Sequence, residues 1–194
     1  IGETPLYYES DSSMGYFHRR FADNVQESYG AFRADSYHQV ILPKTMFNWL
    51  NITPRVGVRG TEYGEENGTG TTLSERQRFV FNTGAEFSTK ASRLWRGAEN
   101  RFFEIDGLRH IIEPSINYVF VPTPTRAPPE LPQFDYELPS RRLLPIEYPD
   151  YNAIDSVDSQ NVFRLGLRNK LQTKRSGKVE DVVAWALYTD WRVH

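Results

Sequence analysis

Apolar and polar residues alternate with a period of two along most of this chain. The most regular stretch is 50–59, where Leu50, Ile52, Pro54, Val56 and Val58 alternate with Asn51, Thr53, Arg55, Gly57 and Arg59. A period of two predicts a strand with two unlike faces. Residues 77–91 repeat it, with Phe79, Phe81, Ala85 and Phe87 opposing Arg78, Asn82, Gly84, Glu86, Ser88 and Lys90. So do 163–172, with Phe163, Leu165, Leu167 and Leu171 opposing Arg164, Gly166, Arg168, Lys170 and Gln172, and 183–193, with Val183, Trp185, Leu187, Trp191 and Val193 opposing Ala184, Ala186, Tyr188, Asp190 and Arg192. Two less regular strands are expected at 15–22 and 28–41. In 108–121, Leu108, Ile112, Pro114, Ile116, Tyr118 and Phe120 share one parity; Arg109, Glu113, Ser115 and Asn117 share the other, interrupted by Ile111 and Val119. Pro114 seldom sits in a central strand of a soluble sheet. One parity suits lipid and the other water, as in a transmembrane β-strand.

The connections alternate in length. Pro43 ends one strand, and 174–178 reads as a compact hairpin turn. Residues 65–70 form a longer polar loop, and 122–158 a very long one that holds eight of the twelve prolines. Counting strands up and down puts the two long loops on one side and the turns at 42–48 and 174–178 on the other, the asymmetry expected of extracellular loops and periplasmic turns. The piece 92–107 is long for a turn, and strand extensions are expected at 102–105. Interspersed Phe134, Tyr136, Leu138, Leu143, Leu144, Ile146, Tyr148 and Tyr151 favour an ordered 122–158 loop, since disordered linkers are poor in such residues.

Composition changes this picture only at its edges. No apolar run approaches the roughly 18 residues a membrane helix needs, while a barrel survives that test because its water-facing residues dilute the lipid-facing ones. A net charge of −2 leaves no basic footprint for nucleic acid. The chain starts at Ile1 and ends in strand pattern, so it reads as an internal piece of a longer protein, with the absence of a signal peptide uninformative.

The motifs His110-Ile111-Ile112-Glu113-Pro114, Tyr118-Val119-Phe120-Val121-Pro122 and Leu131-Pro132-Gln133-Phe134-Asp135, in that order, resemble the central barrel region of the LptD family of outer-membrane lipopolysaccharide-assembly proteins. Arg33-Ala34-Asp35, 54–63 and the Asp-rich 152–160 extend the resemblance over about 33–173. Where the family often has aromatic-Gly-x-Asp-Arg, this chain reads Ile154-Asp155-Ser156. The resemblance marks Glu113, Pro114, Tyr118, Pro122, Phe134 and Asp135 as family-motif positions. It implies an all-β, antiparallel up-and-down transmembrane β-barrel, of which residues 1–194 are a partial domain of about seven strands, truncated at both ends, with a Pro-rich loop at 122–158. It further implies a non-enzymatic role in the bacterial outer membrane, inserting lipopolysaccharide into the outer leaflet. An LptE-like lipoprotein plug is then expected inside the barrel, and a periplasmic bridge protein is expected to deliver the lipid through a missing N-terminal domain.

Residue chemistry offers little that competes. The four histidines are scattered and lack metal-ligand spacing. Carboxylate pairs such as Glu113 with Asp135, or Asp155 with Asp158, would suit glycosidase chemistry only at separations a sequence does not fix. No cofactor motif is present. The candidate functional set is the water parity, Arg55, Arg59, Arg78, Glu86, Asn117, Arg164 and Arg168, joined by Glu113 and Lys170. These are expected to face the lumen and contact a plug or a phosphorylated glycolipid, since Arg and Lys bind phosphate through charge-assisted hydrogen bonds. The plainer alternative is a water-facing wall with its charges paired across strands. Two other readings remain open, a porin or receptor barrel and a soluble carbohydrate-active β-sandwich.

Overall fold

The structure is a computed structural model that describes residues 5–22, 27–68, 74–135, 146, 154–175 and 177–193. Those residues form one antiparallel sheet of ten strands: β1 (Tyr7–Arg19), β2 (Tyr29–Ile41), β3 (Lys44–Met46), β4 (Leu50–Tyr63), β5 (Asn67–Gly68), β6 (Arg76–Thr89), β7 (Ala91–Asn100), β8 (Ile105–Val121), β9 (Gln160–Arg175) and β10 (Lys178–Arg192). The sheet follows the order β1, β2, β4, β6, β8, β9, β10 and is not closed. The three remaining strands prolong their neighbours. Thus β3 follows β2 past the break at Pro43, β5 extends the line of β4 along β2, and β7 carries β6 further along β8. The up-and-down path therefore has seven walls, as the alternation predicts.

Most of the piece read as an over-long turn at 92–107 is a strand, β7, and two further boundaries differ from expectation. The first strand is Tyr7–Arg19 rather than 15–22. Its early residues include Ser10, Asp11, Ser12 and Ser13, polar on both parities, so no alternation betrays them. What orders them is pairing in unbroken register with β2, from Tyr7 opposite Ile41 to Arg19 opposite Tyr29. The second is 102–105, where 101–104 is a turn and only Ile105 belongs to a strand. The Asn100 side chain accepts from the backbone N–H of Phe102 at 3.0 Å and Phe103 at 3.1 Å, a local capping that competes with strand pairing. Glu104 at φ 53° and Gly107 at φ 71° then help reverse the chain.

Antiparallel pairs point their side chains the same way, so register defines the two faces. On the open face lie Val56, Val58, Phe79, Phe81, Phe87, Ile116, Tyr118, Phe163, Leu165, Leu187 and Trp191, many of them exposed although apolar. Tyr118 stacks on Phe163 there at 4.4 Å. Among the described residues no helix is long and apolar enough to cross a membrane, which says nothing of strands. The opposite face carries Arg33, Asp35, Gln39, Arg55, Arg59, Arg78 and Asn117, all buried. Arg33 and Arg78 lie under the described parts of the 122–158 segment and bond to it, while Gln39, Arg55, Arg59 and Asn117 find partners within the sheet. A small apolar cluster marks the contact, with Val80, Val119, Val121 and Val162 from the sheet meeting Ile146 and Val157. Ile111 and Val119, which interrupt the water parity in sequence, are both buried.

Candidate functional site

One carboxylate stands at the centre of the contacts that hold the 122–158 segment to the covered face. Asp155 is 0 % exposed. Its Oδ1 accepts from Arg33 at 2.8 Å and from the Tyr63 hydroxyl at 2.6 Å, and its Oδ2 accepts from the backbone N–H of Phe134 at 2.7 Å and of Asp135 at 3.2 Å. Arg33 is shared, reaching Asp135 at 2.8 Å as well. The Asp155 N–H in turn donates to Asp135 at 3.2 Å. Two carboxylates thus flank one guanidinium, and backbone N–H groups donate to both carboxylates. That is the condition under which buried charge is tolerated.

Arg78 binds the same segment by its backbone. It donates to the carbonyls of Ile154 at 2.5 Å and Asp155 at 3.0 Å while only 2 % exposed. Gln133 is the other fastening. Its amide nitrogen donates to the carbonyls of Pro128 at 2.8 Å, Leu131 at 3.2 Å and Asp155 at 3.3 Å, and its own carbonyl accepts from Tyr29 at 2.9 Å. Phe134 packs between Phe17 and Tyr29, with ring centroids 5.7 and 5.5 Å away. At the start of the segment, Thr125 exchanges two bonds with the Phe79 backbone, at 2.8 and 3.2 Å. The tyrosines at 136, 148 and 151 lie outside the described residues.

The sequence-derived set divides over this face. Arg59 faces Asp35 at 3.5 Å, and Asp35 also accepts from Thr61 at 2.7 Å. Arg55 donates to Asn117 at 2.6 Å. Glu86, Asn117, Arg164 and Asp190 occupy one level of four adjacent strands, where Arg164 grips Asp190 through two bonds of 2.6 and 2.8 Å. Glu113 sits toward the short-turn end between Lys90 at 3.1 Å and Arg168 at 3.3 Å. Pro114 lies on the open face opposite Leu167, and Pro122 immediately follows β8. The pairs raised for glycosidase chemistry do not form. Glu113 has its own cations, and Asp155 meets Asp135 rather than Asp158, which is bonded to the N–H of Ser159. Among the described residues no group of three or more His, Asp or Glu is placed to hold a metal ion.

Arg33, Asp35, Tyr63, Gln133 and Asp155 sit within the stretches of family resemblance, but strand parity alone does not single them out as a centre. Arg33, Asp35, Thr61 and Tyr63 share the parity of Arg55 and Arg59, which was the available signal. Near this rim, Glu66 lies in the turn after β4 and is buried. Burial pushes its carboxyl above the ordinary range, against the pull of Arg76.

Two comparisons with known proteins bear on the chain. No curated protein matches it. A family model described as LptD, LPS transport system D, matches residues 2–186.

Proposed function

The chain belongs to the LptD family, and from that premise we propose that it forms part of an outer-membrane barrel wall that passes lipopolysaccharide to the outer leaflet. The family's work is transport and assembly of lipopolysaccharide at the outer membrane. In this reading the apolar open face meets lipid, the Arg-rich face lines the lumen, and the 122–158 segment is an external loop folded into the barrel mouth. The segment closes the mouth while a lipoprotein plug occupies the lumen below it and a periplasmic bridge delivers the lipid. The role is non-enzymatic, with the wall contributing shape, charge and a seal.

The observation that carries this reading is the fully buried Asp155 joined to Arg33 and Tyr63 of the wall. A mere spacer between β8 and β9 has no reason to bury a carboxylate against two strands, given the cost of desolvating the charge. The test is deletion of 124–149 in the full-length protein. The expected outcome is intact pairing of β8 with β9, increased entry of large antibiotics, and weaker retention of the plug. Unchanged permeability, plug content and lipopolysaccharide export would reduce the segment to a spacer.

A further inference from the structure

The two rims of the sheet carry opposite charge. The turns and adjoining strand ends on the short-turn side, 42–49, 90–109 and 170–181, hold ten Lys and Arg against five Asp and Glu, a net of +5. On the other side, the described residues of 19–28, 62–76 and 122–159 hold four against nine, a net of −5. The cationic rim is also where aromatic side chains stand free. Phe47 and Trp49, at the β3–β4 tip, are 74 % and 58 % exposed; Phe102 and Phe103, at the β7–β8 tip, are 87 % and 58 % exposed.

These tips are constructed. Phe47 and Asn48 hold positive φ of 53° and 60°, and the tip is closed by Trp49 N–H donating to the Met46 carbonyl at 3.2 Å. Positive φ in a bulky residue such as Phe47 carries strain that a Gly would avoid. At the other tip Asn100 caps the N–H groups of both phenylalanines, their rings meet edge to face at 4.9 Å, and Arg175 donates to the Phe103 carbonyl at 3.0 Å. Just inside that tip Arg93 lies over the Trp95 ring at 5.2 Å. Register with Leu108 and His110 puts both on the open apolar face. The aromatic and cationic tips thus continue the face that meets lipid.

We propose that the short-turn rim docks on anionic phospholipid, with the Phe47/Trp49 and Phe102/Phe103 tips seated among the headgroups and Arg93, Arg101 and Lys178 held at the phosphates. Aromatic rings favour the interfacial layer, and clustered Lys and Arg draw a negatively charged leaflet. A rim with net +5 has charge complementary to such a leaflet, and the negative rim opposite does not. The docking would fix the height of this wall in the membrane and bias which leaflet it faces. The inference rests on the membrane-spanning reading, so its test carries a control for that reading.

The photoreactive benzoylphenylalanine replaces Phe102, Phe47 or, as the control, Val56 in the full-length protein, reconstituted in phosphatidylcholine vesicles with and without 30 % (about one lipid in three) phosphatidylglycerol. Irradiation and mass analysis then identify the adducts. At Phe102 and Phe47 phospholipid adducts are expected, enriched several-fold in phosphatidylglycerol over its share of the mixture and losing that enrichment in Arg101→Gln/Lys178→Gln. Adducts to protein, adducts to added lipopolysaccharide, no enrichment, or no adduct at these tips while Val56 still captures lipid would overturn the docking. Failure at Val56 as well would instead count against the membrane-spanning reading.

Discussion

Arg33 and Asp155, 122 residues apart in sequence, meet at 2.8 Å with both side chains withdrawn from water. That one contact ties the second strand of the sheet to the far end of the longest connection. Asp135 shares the guanidinium and Tyr63 donates to the carboxylate.

Replacing Asp155 with Ala leaves the Tyr63 hydroxyl without its acceptor and Arg33 with Asp135 in place of two carboxylates, so the cost falls below the ~3–5 kcal/mol of a fully broken buried pair. The loss falls on the docked segment rather than the sheet, whose ladder is independent of it. In Asp155→Ala, cleavage by a protease added from outside is expected near 130–135 while the strand signal in circular dichroism is unchanged. The double variant Arg33→Ala/Asp155→Ala is expected to lose less than the sum of the two single changes. A strictly additive cycle would show that the pair is not coupled.

Val56 and Arg55 are neighbours on opposite faces of β4. If the open apolar face meets lipid as proposed, placing Arg at position 56 costs about 2–4 kcal/mol near the membrane midplane. Arg55→Val is milder but not free, because Arg55 donates to Asn117 at 2.6 Å and to the Tyr118 carbonyl at 3.3 Å; leaving those acceptors buried costs about 1–3 kcal/mol. The measurement is the fraction of heat-modifiable folded barrel for each variant. Equal tolerance of the two changes would sink the assignment of faces.

Gly84 and Gly60 make a matched pair. A methyl group at Gly84 would collide with the Tyr118 carbonyl oxygen and press on the Arg55 guanidinium at 3.0 Å, whereas at Gly60 nothing lies within 4 Å. Gly84→Ala is expected to lower stability by about 1–3 kcal/mol through overpacking. Gly60→Ala should stay within about 0.5 kcal/mol of the parent. Urea-driven unfolding in detergent compares them directly.

Glu66 sets a pH dependence at the loop-bearing rim. Its carboxyl is raised by burial, so the unfolded state loses this proton more readily than the folded one. The associated stability is fully present below the ordinary carboxylate range near 4.5 and is lost as pH rises through the higher folded value. Glu66→Gln should therefore protect the β2–β5 pairing from hydrogen exchange at neutral pH and lose its advantage at low pH. Equal protection of parent and variant at every pH would rule this out.

Much of the fold is legible from local pattern. The alternation in 50–59, 77–91 and 163–172 is enough to place strands, assign their faces and arrange the connections by side, because side-chain direction in a strand has a strict period of two. The ordered Glu113-Pro114, Tyr118 to Pro122 and Phe134-Asp135 motifs point to the family that the matching model establishes. Local pattern fails at β1, whose early residues are polar on both parities and gain their order from β2, and at 101–104, where Asn100 redirects the backbone.

The contact of Asp155 with Arg33 and Tyr63 belongs to the tertiary structure alone. Parity puts Arg55, Arg59 and Arg78 on the polar face but does not distinguish a side chain bathed in water from one buried under a docked segment. That distinction depends on Asp155 and Gln133 arriving from a connection whose path no periodicity encodes, across a separation of 122 residues for Arg33 and 77 for Arg78. Burial of charge is a property of what lies opposite in space. The sequence thus determined the wall and its two faces, and the folded chain decided which charges on the inner face are sealed.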